Sequence, residues 1–210
     1  MTTNIFKPIL FNTEMVQAIL AGRKTRTRRT TRLQKINEQP DSIGLGNVRF
    51  NGWFNFYRKT TEKGIWVMPV VKTGDILWVR ETFDKVTWEF LYKSDNNSDH
   101  DFISAVNWKP SIHMPKEAAR IFLKVTNVRC ERLQDISEDD AIAEGIKIIE
   151  HGEAYFDYDS NGQNGSFATA KGSFSSLWQS INAKKHPWES NPLVWVYDFE
   201  RIEKPENFIS

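Results

Sequence analysis

The sequence predicts an α+β fold, a small β-barrel decorated with helices, on three observations. Strongly β-prone runs stand at Ile76–Val79, Ala119–Leu133 and Leu193–Ile202. Helical periodicity is confined to three short stretches near residues 13–20, 141–146 and 174–181. The resulting order is strand, helix, several strands, helix, excursion, helix, strand, which suits short antiparallel strands with few helices. The periodicity itself is shared by barrels and open sheets.

Taken in order, Lys7–Phe11 is a short apolar run that reads as a strand. Asn12 or Thr13 caps the helix that follows, with Glu14 in its first turn. Met15, Val16, Ile19 and Leu20 share one helical face, and Gly22 is a fitting stop. Pro40, Gly44, Gly46 and Gly52 interrupt residues 33–64, where Trp53, Phe54, Phe56 and Tyr57 form a strand or an exposed aromatic patch. Val67–Val71 reads as a strand, Gly74-Asp75 as a turn, and Ile76–Val79 as a strand ending at Arg80-Glu81. Val86–Tyr92 is a further strand, residues 93–101 a loop, and Asn107–Pro115 an extended segment bounded by prolines. Ala119–Leu133 is a long strand. Ser137 and Asp140 make a capping box before Ala141–Ile146. Asp157–Ser176, rich in Gly, Ser and Asn, reads as a mobile surface loop. Phe174, Leu177, Trp178 and Ile181 mark a short helix, Leu193–Ile202 is the last strand, and Lys204–Ser210 reads as a frayed tail.

The chain has 210 residues, which fits one domain over 1–210 with inserted segments at about 33–64 and 150–176. No run of about 18 apolar residues occurs, so a transmembrane helix is not expected. The start, MTTNIFKPIL, lacks a basic region followed by an apolar stretch, so no secretory signal is expected. The single cysteine, Cys130, excludes an internal disulfide and suits a reducing cytosol, where it reads as buried and inert. Twenty-eight basic side chains face twenty-seven acidic ones, so any anion-binding surface must arise by local clustering.

That clustering is visible. Arg23 to Arg32 holds six basic residues in ten and no acid, whereas Glu131 to Glu144 is acidic. In the basic segment Arg23, Lys24, Arg26, Arg28 and Arg29 alternate with Thr25 and Thr27. Guanidinium forks and hydroxyls suit phosphate oxygens, although a solvated basic turn is an equal reading of the residues. Glu144, in an Ala-Glu-Gly turn, reads by itself as an exposed helix residue. His113 is a ligand contact or a structural histidine. Trp108, Trp178 and Trp195 read as core, and Trp53 and Trp188 as the better stacking candidates. No spacing of His and Cys suits zinc, and neither common nucleotide-binding glycine loop occurs, so no metal and no cofactor is expected.

Pro8-Ile9-Leu10-Phe11, then Ile19-Leu20-Ala21-Gly22-Arg23-Lys24-Thr25 with Thr27 and Arg29, then Gly74-Asp75-Ile76-Leu77-Trp78-Val79, resemble the ASCH domain family of the PUA-like superfamily. Val194-Trp195-Val196-Tyr197-Asp198-Phe199 is similar to its closing strand. Pro110–Pro115 and Ser176-Leu177-Trp178 are similar to members carried by bacteriophages and prophages. The resemblance implies a β-barrel core with a helix-lined cleft, roles on RNA or modified nucleosides, and a bacterial cytoplasmic location. In one small branch, an amidohydrolase that deacetylates acetylcytidine, a Lys, a Thr three residues later and a distant Glu carry the reaction. Lys24 and Thr27 match the first two, and Glu144 falls at the third. Other members are described as ribonucleases. Unlike the small branch, this chain has Arg26 and Arg28 around Thr27, which favours a polyanionic ligand.

Two readings follow. In the first, a hydrolase acts on RNA, other single-stranded nucleic acid or a modified nucleoside. Thr27 attacks, Lys24 takes its proton, Glu144 holds Lys24 or passes the proton on, and Arg23, Arg26, Arg28 and Arg29 hold phosphates or an oxyanion, with Trp53 and His113 as further contacts. In the second, the same cleft is a binding module without turnover. A role in contacting another protein has no support in the residues beyond the long insertions.

Overall fold

Strand β13 (Leu193–Ile202) is the axis of the molecule, and its sequence says why. Leu193, Val194, Trp195, Val196 and Tyr197 are all buried, an unbroken apolar run of the kind a strand carries when both faces of its sheet are covered. In this computed structural model, residues 5–39, 43–50, 52–59, 64–95, 106–149, 154–158 and 166–208 are described.

β13 pairs antiparallel with β9 (Phe122–Arg132), with a register shift at Asp198/Phe199. The central sheet has the order β1-β6-β9-β13-β2, with β1 (Phe6–Leu10), β2 (Arg26–Arg29) and β6 (Ile76–Arg80). β1 runs parallel to β6, and the other pairings are antiparallel. One face of the sheet carries Leu77, Val79, Leu123, Val125, Trp195 and Tyr197 in the main core. On the other face Val194 and Val196 meet α3 (Glu138–Ala143) and α4 (Ala170–Asn182) through Ala141, Phe174 and Leu177.

α1 (Thr13–Leu20) links the two edge strands and buries Val16, Ala18 and Ile19. Asn12 caps it, its Oδ1 accepting from the Met15 amide at 2.8 Å. α2 (Gln34–Asn37) buries Ile36. The glycine-interrupted region becomes an antiparallel meander, β3 (Ile43–Phe50), β4 (Trp53–Arg58) and β5 (Gly64–Val67). It is held to the sheet by the Phe54 and Phe56 rings, 4.7 and 6.1 Å from that of Trp195. β7 (Phe83–Val86) and β8 (Glu89–Tyr92) form a hairpin, and β10 (Ile148–Ile149), β11 (Ala154–Phe156) and β12 (Ser166–Phe167) a small third sheet.

The α+β class stands, but the expected barrel does not close by backbone hydrogen bonds among the described residues; β1 and β2 are edges of an open sheet. A side chain spans the edges instead, since Arg29 of β2 donates to the Leu10 carbonyl of β1 at 3.1 Å. Further expectations change. The strand placed at Val67–Val71 is β5, ending at Val67. The strand placed at Val86–Tyr92 is broken by a turn at Thr87, whose φ is 57°. The stretch placed in a mobile loop holds the first turns of α4, because Thr169 caps the helix and Ala170, Ser173 and Phe174 are buried. Residues 159–165 of that stretch, and 96–101 of the earlier loop, lie outside the described residues. The tail is pinned, since Phe208 is fully buried with its ring 4.7 Å from that of Phe122; residues 209–210 are not described. Cys130 is buried as expected. Among the described residues, no helix is long and apolar enough to cross a membrane.

Candidate functional site

The basic segment enters the sheet rather than forming a turn. After Gly22, which takes a φ of 72°, Lys24 makes a lone antiparallel bridge to Glu144, and residues 26–29 then pair with β13 as its outer neighbour. Strand alternation sends Arg26 and Arg28 to one face and Thr27 and Arg29 to the other. Glu144 reaches Lys24 because α3 stops at Ala143 and the chain turns at Gly145. Gly145 has a φ of 85°, and a Cβ there would stand 2.7 Å from Lys24 Cβ and 2.9 Å from Ala18 Cβ. Only glycine satisfies both demands.

Lys24 Nζ is buried and its three protons all have acceptors: Glu144 Oε2, the Glu144 carbonyl and the Arg26 carbonyl, each at 2.8 Å. Burial pulls its pKa below the ordinary value, the Glu144 carboxylate opposes this, and Arg29 and Arg28 add to the depression. The other oxygen of Glu144 accepts from Arg28 Nη1 at 3.0 Å.

Arg28 also donates to Glu131 at 2.6 Å and to Asp140 at 2.7 Å. Arg26 pairs with Asp140 and Asp198. Arg129 of β9 joins Glu131, Asp140 and Asp198. Burial alone would lower the pKa of Arg28, but Glu144, Glu131 and Asp140 raise it above its ordinary value.

Arg29 differs. Its guanidinium donates to Thr27 Oγ1 at 2.8 Å, the Arg28 carbonyl at 3.0 Å and the Leu10 carbonyl at 3.1 Å, all neutral oxygens. Burial lowers its pKa, and Glu144 and Tyr197 only partly offset that. It lies 5.2 Å from the centre of the Phe11 ring, which Lys24 Nζ also faces, at 5.5 Å.

Arg28, Arg29 and Glu144 border a cavity of about 450 Å³. Its apolar walls come from Phe11 and Met15 on one side and Phe174, Leu177, Trp178 and Ile181 of α4 on the other. Thr30, Thr31 and Thr82 add hydroxyls. The volume lies within the roughly 300–1,000 Å³ usual for small-ligand sites.

The sequence-predicted residues therefore separate. Lys24 and Glu144 meet. Thr27 is fully buried beside Arg29 and is not on the cavity wall. Arg23 caps the Gly145 and Ile146 carbonyls at 3.0 and 3.2 Å. Arg26 and Arg28 are neutralised, so their expected pull on a polyanion is already answered by carboxylates of the chain itself. Trp53 sits on β4, away from the cavity lining, and His113 is exposed beside the lining residue Ser111. Trp188 packs on Phe174, with ring centres 6.2 Å apart. Sequence reasoning missed the wall on α4. Its signal was the 174, 177, 178, 181 spacing, which also marks an ordinary core face.

No protein-family model matches the chain, and no curated protein does. Among solved structures it is similar to the protein EF3133 from Enterococcus faecalis V583, described under the family DUF984. The TM-score is 0.41 and the identity 11%, over 97% of this chain and 78% of that one.

Proposed function

We propose that the chain is an ASCH-type protein that binds RNA or a modified nucleoside, taking a single base out of its stack into the cavity beside β2. What supports this is one juxtaposition: aromatic walls, Phe11, Phe174 and Trp178, with a cation that no carboxylate of the chain pairs among the described residues, Arg29. A base fits apolar and aromatic walls, and a guanidinium fork matches the phosphate attached to it. Thr30 and Thr31 offer short-range hydrogen bonds at the same edge. Calorimetric titration of cytidine and cytidine monophosphate tests the reading. The monophosphate binds more tightly than the nucleoside to the wild type, and Arg29→Ala removes the difference. Equal affinity of the two ligands for the wild type, or no binding of either, contradicts it.

A second reading, hydrolysis of an RNA or acylcytidine substrate, is favoured by the 2.8 Å contact of Lys24 Nζ with Glu144 Oε2. Thr27 Oγ1 attacks the acyl carbon or phosphorus while a neutral Lys24 amine takes its proton and Glu144 holds that amine in place. The C–N bond to cytosine or the P–O bond to the next nucleotide breaks, the leaving group takes the proton back from Lys24, and water then hydrolyses the ester on Thr27. This route requires Thr27, now covered, to open to the cavity. The test is chromatographic detection of product from acetylcytidine and single-stranded RNA. Product that disappears in folded Lys24→Ala, Thr27→Ala and Glu144→Gln supports hydrolysis, and a wild type without turnover leaves the binding reading alone.

A further inference from the structure

The outward face of the β3–β5 meander lies apart from the cavity and carries an unusual surface. Phe54 and Phe56 of β4 point inward to Trp195, so Trp53, Asn55 and Tyr57 point outward. On β5, Ile65 and Val67 pack on the core, which turns Trp66 outward, directly opposite Asn55. Trp53, Tyr57 and Trp66 are 40%, 37% and 45% exposed, which is high for aromatic side chains on one small sheet.

The cross-strand neighbours of one of these rings are glycines. Tyr57 stands between Gly44 on β3 and Gly64 on β5. A Cβ at Gly44 would lie 2.2 Å from Tyr57 Cζ, so the ring lies flat across the glycine with its other face open to solvent. Between the rings, Asn55 Oδ1 is buried without a hydrogen-bond partner among the described residues. Lys59 is exposed and continues the outward alternation of Trp53, Asn55 and Tyr57, and the Lys72 side chain reaches the Gly52 turn.

We propose that this face is a stacking platform for single-stranded RNA, with bases on Trp53, Tyr57 and Trp66 and the backbone phosphates drawn to Lys59 and Lys72 at its two ends. Flat aromatic faces accept any base, and the Lys59 and Lys72 ammonium groups complement a polyanion. The identity of the polymer rests on the reading of the chain as RNA-binding; the surface itself is independent of the cavity.

The test is fluorescence anisotropy of a labelled oligouridine of about a dozen nucleotides, long enough to cover the roughly 4–16 nucleotides of a comparable site. It is run beside titration of cytidine monophosphate on the same proteins. Trp53→Ala and Trp66→Ala each weaken oligouridine binding roughly tenfold, Trp66→Phe retains most of it, and monophosphate affinity is unchanged in all three. The proposal is overturned if the folded Trp53→Ala/Trp66→Ala double variant binds oligouridine like the wild type. It is equally overturned if the wild type binds no oligouridine, even where monophosphate binding stands. Sedimentation in which the wild type self-associates and the double variant does not, with oligouridine binding equal in both, makes the face a contact between copies and also overturns it. Oligouridine binding that tracks the tryptophans without any monophosphate binding upholds the platform and removes the cavity reading.

Discussion

Arg26 and Arg28 on one face of β2, and Arg29 on the other, are the same residue type within four positions, yet they stand in opposite electrostatic conditions. On the first side Lys24, Arg26, Arg28 and Arg129 interlock with Glu131, Asp140, Glu144 and Asp198. Four cations meet four carboxylates, and that side offers little net charge to a ligand. On the second side Arg29 touches only neutral oxygens and borders the cavity. A basic run in a sequence counts charges; the fold decides which of them remain available. Here the fold ties Lys24, Arg26 and Arg28 to the acidic segment around α3, and of the two guanidiniums bordering the cavity, Arg28 and Arg29, it leaves Arg29 without a carboxylate partner among the described residues.

Removing the carboxylate that both Lys24 and Arg28 use has the largest expected effect. Glu144→Ala leaves two buried cations short of a partner and costs about 3–5 kcal/mol in urea unfolding. A loss under about 1 kcal/mol, the value of an exposed pair, would show that the network is solvated and the contrast between the two faces weaker than drawn. Gly145→Ala follows, at about 1–3 kcal/mol in thermal unfolding, because it forces an alanine to a left-handed φ and presses its Cβ on Lys24 and Ala18. Arg26→Ala is smaller, about 1 kcal/mol, since the Arg26 side chain is 22% exposed and its partners retain Arg28 and Arg129.

The smallest effect is on acid stability. Burial would raise the pKa of Asp198, but Arg26, Asn127 and Arg129 bring it below the ordinary 3.8. The Asn107 amide, more than the Lys109 charge, does the same for Asp84. A carboxylate with a lowered folded pKa contributes stability that is fully present above its unfolded value and lost as pH falls through the folded one. Unfolding free energy is therefore level in this respect above about pH 4 and falls below it, and Asp198→Asn reduces the slope. An unchanged slope in that variant would separate Asp198 from the network.

Much of this was legible in the sequence. The alternation of β9, the two-sided apolar run of β13 and the Asn12 cap announce themselves because burial and capping select residue types directly. The Ser137 cap was half legible: its Oγ accepts from the Asp140 amide at 3.1 Å, but the Asp140 side chain turns away to three arginines instead of closing a capping box. β2 was hidden because its period-2 pattern is written in Arg and Thr. Arg26 and Arg28 are held by carboxylates and Thr27 lies under Arg29, so the strand carries no apolar side chain for hydropathy to register. The Lys24–Glu144 contact is set by Gly145 and a single backbone bridge, which spacing over 120 residues cannot express. The resemblance paired those two residues, but it did not place Thr27 under Arg29. The start of α4 was concealed by Gly172 and its serines, whose weak helix propensity is overridden by the burial of Ala170, Ser173 and Phe174. The hairpin turn at Thr87 lacks the Gly or Asn that ordinarily marks a positive φ.

The contrast between the two faces of β2 is most directly tested by titrating cytidine monophosphate against Arg29→Ala and Arg26→Ala side by side, with the fold of each checked by circular dichroism. Arg29→Ala is expected to weaken binding by roughly 10- to 100-fold, as losing a charge-assisted hydrogen bond does, while Arg26→Ala binds as the wild type does. Equal losses in the two variants, or no loss in either, would contradict the claim that Arg29 is the cation this fold keeps for its ligand.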